Sequence, residues 1–137
     1  MNKMRLQVIA PKRIIFDGEC TMVEYNTTEG YVGVLPGHIA MTQIIAPGKL
    51  TIYEENKEKP VKLAAMSGIV TIMPDTVVLL TEIVEFASEI DVERAKASKE
   101  RAIKRLEEKL ESTDMARAAK ALKRAEVRIE VAETEAK

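Results

Sequence analysis

Apolar and polar positions alternate in short stretches through the first ninety residues. Leu6, Val8 and Ala10 interleave with Arg5, Gln7 and Pro11, and a period of two sends successive side chains to opposite faces of a strand. The stretches Thr21 to Tyr25, Leu50 to Tyr53, Val61 to Ala65, Ile69 to Met73 and Val77 to Thr81 are read as further strands. Turn-forming groups separate them: Asp17-Gly18, Glu29-Gly30, Pro47-Gly48, Glu58-Lys59-Pro60 and Pro74-Asp75. Many short strands at near-even spacing predict an antiparallel sandwich or barrel. The unbroken run Val77-Val78-Leu79-Leu80 predicts a strand covered on both faces.

Near residue 90 the pattern changes. Met115, Ala118, Leu122, Ala125, Ile129 and Ala132 recur at steps of three and four, which is a helical seam. An earlier helix offers Val92, Ala95, Ala102, Ile103, Leu106 and Leu110 as its partner. Asp91 is its expected N-cap, with Glu93 adding negative charge in the first turn. Glu111-Ser112-Thr113-Asp114 is the expected break, with Ser112 or Thr113 capping the second helix. So short a connection predicts an antiparallel hairpin. Residues 1–90 contain 28 Val, Ile or Thr, whereas residues 91–137 contain 7 and 10 alanines, so composition supports the same division. The expected fold class is α+β: an N-terminal antiparallel β-sandwich over residues 1–88, then a C-terminal antiparallel two-helix hairpin over residues 89–137. Alanine buries little carbon, about 0.8 kcal/mol per CH₂ being at stake, so the hairpin is expected to dock weakly and to open.

Charge and chemistry narrow the function. The net charge is −1, which leaves no excess of cations for a run of phosphates and argues against a nucleic-acid module. Cys20 and His38 are alone of their kinds, so no internal disulfide and no ordinary zinc site is expected. No nucleophile–base pair and no glycine-rich phosphate loop before a helix is visible, so an enzyme with its own ATPase site is disfavoured. Lys3, Arg5, Lys12 and Arg13 interrupt any signal-peptide core. The uncharged stretch Tyr31 to Gly48 contains Gly33, Pro36, Gly37, His38, Gln43 and Pro47, which suits no membrane helix. Membrane association is expected only through a partner.

Two features admit two readings each. Arg117, Lys120, Arg124 and Arg128 share one side of the second helix, opposite Glu126, Glu130 and Glu133, while Arg94, Arg101 and Arg105 share a face of the first. The arginines either form a solvated face or converge on a polyanion, which a guanidinium binds through its planar fork. Gly33-Val34-Leu35-Pro36-Gly37-His38 has fixed-turn character, and His38 is read as a surface or interface residue.

The segment Gly30 to His38, the Ser67-Gly68 turn before Ile69 to Pro74, and the strand Val77 to Glu82 resemble the epsilon subunit of bacterial F-type ATP synthases, in register over nearly the whole chain. That resemblance implies a non-catalytic subunit of the central stalk, a rotor part that couples ion flow to ATP synthesis. It implies a sandwich that binds the gamma subunit and rests on the c-ring polar loops, with contacts at Glu29, Tyr31, Leu35, Pro36, Gly37 and His38. It implies a hairpin that restrains ATP hydrolysis when extended toward the catalytic beta and alpha subunits. The implied location is peripheral, on the cytoplasmic face of the bacterial cell membrane. Ile90-Asp91-Val92-Glu93-Arg94-Ala95 also resembles the motif of family members that bind ATP on this subunit. Carried over residue by residue, the implied ATP site comprises Glu85, Ile90, Asp91, Arg94, Ala95, Arg124 and Arg128, with ATP a regulatory ligand and no cofactor required. The alternative is a constitutive coupling subunit with no nucleotide response. One departure is Tyr31, which follows the first glycine of the loop where many relatives have an acid.

Overall fold

The computed structural model describes residues 3–109 and 114–136. Two compact units divide the chain, Met1–Phe86 and Ala87–Lys137. The described part of the first unit holds ten strands: β1 (Met4–Ala10), β2 (Arg13–Cys20), β3 (Met22–Thr27), β4 (Gly30–Val34), β5 (Met41–Ile45), β6 (Gly48–Tyr53), β7 (Val61–Ala65), β8 (Gly68–Ile72), β9 (Thr76–Thr81) and β10 (Val84–Phe86). They pair in the order β10-β7-β6-β3-β5-β8-β9-β1-β2, with β4 attached to β3. Every pairing is antiparallel except that of β1 with β9, which run parallel. Leu6, Val8, Val23, Tyr25, Leu50, Ile52, Leu63, Val70, Ile72, Val77 and Leu79 fill the core. The buried Tyr25 phenol donates to Gln43 Oε1 at 2.6 Å, which satisfies a hydroxyl that would otherwise be costly to bury. Burial pushes the Cys20 thiol up to about 11, so this lone cysteine stays a protonated core residue near neutral pH.

Four strands escape the alternation test. β2 and β5 are exposed along much of their length, β4 is interrupted by glycines, and β10 has three residues. The expectation that Val77 to Leu80 is covered on both faces is not met. Val77 and Leu79 are buried, Val78 is half-buried and Leu80 is 51% exposed. β9 is therefore an ordinary one-sided strand whose outer positions happen to be apolar. Gly68, at the start of β8, is required by packing: a Cβ there would run into the Leu80 carbonyl oxygen, which lets β8 and β9 close up.

In the second unit a single 3₁₀ turn, Ala87–Glu89, precedes α1 (Val92–Glu108) and α2 (Met115–Ala136). Asp91 caps α1 as expected, its carboxylate accepting from the Arg94 backbone N–H. Lys109 ends that helix in the left-handed conformation, its N–H donating to the Arg105 carbonyl. The expected caps Ser112 and Thr113 lie outside the described residues, as does Leu110. Asp114 performs the capping, its carboxylate accepting from Arg117 N–H at 3.0 Å and its carbonyl from Ala118 N–H. The two helices pack together with Ala95, Ala102, Ala118 and Ala125 buried, whereas Met115 is 38% exposed and does not belong to the seam. The seam is not the whole of the burial on α2. Val127 and Val131 are 2% and 0% exposed, and at 3.6 residues per turn they lie roughly opposite Ala118 and Ala125. α2 also packs on the 3₁₀ turn.

Candidate functional site

The six expected contact residues do not form one loop. Gly30 to Val34 is a strand, and its five residues span roughly 17 Å at about 3.3 Å each. Glu29 and Tyr31 stand at one end of it and Leu35 to His38 at the other. At the first end, Thr27 Oγ1 accepts from Glu29 N–H at 3.1 Å and donates to the Gly30 carbonyl at 2.7 Å. Gly30 has φ 113°, a conformation that L side chains resist. The result is a tight tip with an exposed Glu29 carboxylate.

At the other end, Pro36 and Gly37 form a turn with Gly37 at φ 85° and His38 N–H donating to the Leu35 carbonyl at 3.3 Å. This is the turn that a Pro-Gly pair encodes. Gly37 N–H donates to the Pro74 carbonyl at 2.7 Å, which ties the loop to the β8–β9 turn. His38 Nδ1 lies 2.8 Å from the Ile39 carbonyl. A carbonyl can only accept, so Nδ1 is the donor in this contact. Leu35 (57% exposed), Ile39 (81%), Met41 and Met73 make this end apolar.

A larger feature was not legible from the motif. In the register of the sheet Ile44 pairs with Ile69, Ile69 with Leu80, Leu80 with Ile9, and Ile9 with Ile14. Paired residues share a face, so five aliphatic side chains form one row across β5, β8, β9, β1 and β2. Ile44, Ile69, Leu80 and Ile14 are exposed and Ile9 is half-buried. A shift of register between Val8 and Ile9 brings Ile14 into line. Beside the row is a groove of about 380 Å³ lined by Ile9, Ala10, Pro11, Gly68, Ile69 and Leu80, among others. Contiguous outer apolar surface of this kind marks an interaction site.

The residues of the implied ATP site fall in both units. Glu85 is in β10, opposite Ala64 of β7; the other six belong to the helical unit. Ile90 N–H closes the 3₁₀ turn on the Ala87 carbonyl at 3.2 Å, and Ala95 N–H donates to the Asp91 carbonyl. Asp91 and Arg94 are exposed, while Ala95 is buried. Arg124 and Arg128 are half-buried, unlike the exposed Arg117 and Lys120 on the same side of α2. On α1, Arg101 donates to Ser98 Oγ.

Among the described residues, no three His, Cys, Asp or Glu side chains are placed to hold a metal ion. No helix among them is long and apolar enough to cross a membrane. Two family models cover nearly the whole chain. The beta-sandwich domain of the ATP synthase delta/epsilon chain matches residues 3–87, and the long alpha-helix domain of that chain matches residues 88–133. The chain is 40% identical over 134 residues to the ATP synthase epsilon chain of Halalkalibacterium halodurans, covering 96% of this chain and 98% of that one. It is 37% identical over 133 residues to that of Bacillus licheniformis, covering 96% and 99%. Among solved structures it is similar to a chain in the cryo-EM structure of Euglena gracilis mitochondrial ATP synthase, OSCP/F1/c-ring in rotational state 1. The TM-score is 0.73 at 24% identity, covering 99% of this chain and 81% of that one. At that identity the likeness is one of fold.

The capping geometry makes a prediction about Asp91. Asp91→Ala removes the acceptor for Arg94 N–H and is expected to lower stability by about 1 kcal/mol, while Asp91→Asn, an equally good cap, changes it little. Thermal unfolding followed by helical ellipticity distinguishes the two. Equal losses from both variants would show that the carboxylate charge, not the cap, is what matters there.

Proposed function

Since the chain belongs to the ATP synthase delta/epsilon chain family through both of its units, we propose that it is a rotor subunit at the foot of the central stalk, joining the gamma subunit to the c-ring. As an epsilon chain it is a non-catalytic subunit of ATP synthase. The observation that carries the coupling role is the aliphatic row Ile44–Ile69–Leu80–Ile9–Ile14, which suits an apolar face of gamma. The tip bearing Glu29 and Tyr31 suits the polar loops of the ring, and the apolar Leu35–His38 end suits a second part of gamma. Because β4 separates these two ends, they meet different surfaces. In this reading the chain reaches the membrane only through the complex, on its cytoplasmic face.

The helical unit is the regulatory part of the proposal: a hairpin that restrains hydrolysis when extended toward the catalytic beta and alpha subunits, and that ATP holds in its folded form. Two observations support it. The fully buried positions of the seam between the helices are alanines, whose burial contributes little. The half-burial of Arg124 and Arg128 gives two guanidinium groups reduced competition from water, which strengthens their pull on a phosphate. ATP at 100 times its Kd would stabilise the folded hairpin by about 2.7 kcal/mol, enough to bias a near-balanced equilibrium. It falls short of the roughly 5.5 kcal/mol that a full reversal requires. One observation favours the alternative of a constitutive coupler without nucleotide response. Val127 and Val131 bury more carbon on the second face of α2 than the alanines do on the first.

Two measurements test these readings. Leu80→Arg, at an exposed position, is expected to leave the melting of the isolated chain nearly unchanged, because surface substitutions cost within about 0.5 kcal/mol. It should weaken association with purified gamma at least tenfold in calorimetry, and unaltered association would remove the row from the interface. For the nucleotide, Arg124→Ala and Arg128→Ala are each expected to weaken ATP binding by roughly 1.5–3 kcal/mol, with Lys120→Ala as the exposed control that changes little. Titration curves that match the parent for all three variants would leave the constitutive coupler as the reading.

A further inference from the structure

Strand β4 pairs with β3 alone among the described residues; β3 is held in the sheet by β6 and β5, while β4 itself has no second strand neighbour. Three hydrogen bonds join the tip end of the β3–β4 ribbon to the β5–β6 connection and the start of β6. Ala46 N–H donates to the Asn26 carbonyl at 2.9 Å, and Asn26 Nδ2 donates to the Pro47 carbonyl at 3.0 Å. The third comes from Lys49, whose N–H donates to the phenolic oxygen of Tyr31 at 3.0 Å. Asn26 and Tyr31 are opposite one another in the β3–β4 register, and between them they occupy the space over Gly48. A Cβ on Gly48 would stand 2.6 Å from Asn26 Cβ and 2.7 Å from the Tyr31 hydroxyl oxygen. Gly48 is not at positive φ, so its neighbours, not its backbone, require a glycine there.

We propose that Tyr31 is a positioning residue: its hydroxyl bolts β4 to the start of β6 and so fixes where the hairpin tip presents Glu29. The inference rests on the reading of that tip as a contact with the polar loops of the ring. The mechanical chain is short. Thr27 Oγ1 bonds both Glu29 N–H and the Gly30 carbonyl, which makes Glu29 rigid relative to the ribbon. Tyr31 and Asn26 then tie the tip end of the ribbon, where β4 has no second strand neighbour, to Lys49 and Pro47. A backbone fixed in advance leaves less freedom to lose when the side chain it carries meets a partner. Tyr31 is 53% exposed, yet its oxygen is committed to a backbone amide of its own chain, which is the arrangement of a strut.

The test is a double-mutant cycle on fluorescently labelled chain added to ATP synthase that has been stripped of this subunit and reconstituted in proteoliposomes. Glu29→Gln and Tyr31→Phe are each expected to weaken binding about fivefold, the scale of one hydrogen bond. The double variant is expected to bind no more weakly than Glu29→Gln alone, because no charge is left to position. In the isolated chain, Tyr31→Phe should raise hydrogen exchange at the Lys49 amide about fivefold without altering the melting transition. Gly48→Ala, which crowds Tyr31 while keeping its hydroxyl, should weaken binding as Tyr31→Phe does. Additive losses in the cycle, or parental binding by Tyr31→Phe beside a weakened Glu29→Gln, would overturn the positioning role and leave the tip contact standing. Parental binding by Glu29→Gln would overturn the tip contact, and the positioning role with it.

Discussion

A strand has two faces, and a sandwich of this size buries only one of them. Every outer position that is apolar must therefore be covered by something else or stand in water. In this chain the register aligns five such positions into the row Ile44–Ile69–Leu80–Ile9–Ile14. The alignment depends on local details of the backbone. Gly68 lets β8 and β9 approach where a side chain would meet the Leu80 carbonyl, and the register shift at Val8 and Ile9 returns Ile14 to the row. A slip of one residue in any pair would send the aliphatics to the other face. The inner face, with Val70, Val77 and Leu79 fully buried, fixes the register and so fixes the row.

The helical unit follows a different economy of contacts. Alanines at seven-residue spacing, Ala95 with Ala102 and Ala118 with Ala125, permit close packing of the helices while burying little carbon. The valines at 127 and 131 add a second buried face to α2. Arg124 and Arg128 are half-buried in the ligand-free fold, so their reduced hydration is not by itself a property of a site. In the proposed reading the sandwich supplies the contacts with the stalk and ring, and the helical unit supplies the residues that bind nucleotide.

Much of this was legible in the residues. Alternation located β1, β3, β6, β7, β8 and β9, Asp91 announced the start of α1, and Pro36-Gly37 specified its own turn. The family was legible in Gly30 to His38 taken with the change of composition near residue 90. What alternation could not find were strands whose faces are not chemically distinct. Ile14-Ile15-Phe16 in β2 has no polar partner set, Gly30 and Gly33 disguise β4 as a loop, and Met41 to Ile45 in β5 is exposed along most of its length. Missing β2 and β5 hid both ends of the aliphatic row. The run Val77 to Leu80 reads as doubly covered for a related reason: outward apolar residues look the same in sequence as inward ones. Val127 and Val131 were passed over because a single helical seam accounts for only one face of α2. The bond from the Lys49 amide to Tyr31 joins residues far apart in sequence, and no local pattern signals it.

The central claim is that the aliphatic row is an interface and not an incidental patch. Hydroxyl-radical footprinting of the free chain and of the assembled ATP synthase, read side chain by side chain, addresses it directly. The account predicts that oxidation of Ile14, Ile44, Ile69 and Leu80 falls together on assembly, by at least fivefold, as a desolvated interface core requires. Oxidation of these four residues at the same rate in both states would contradict it.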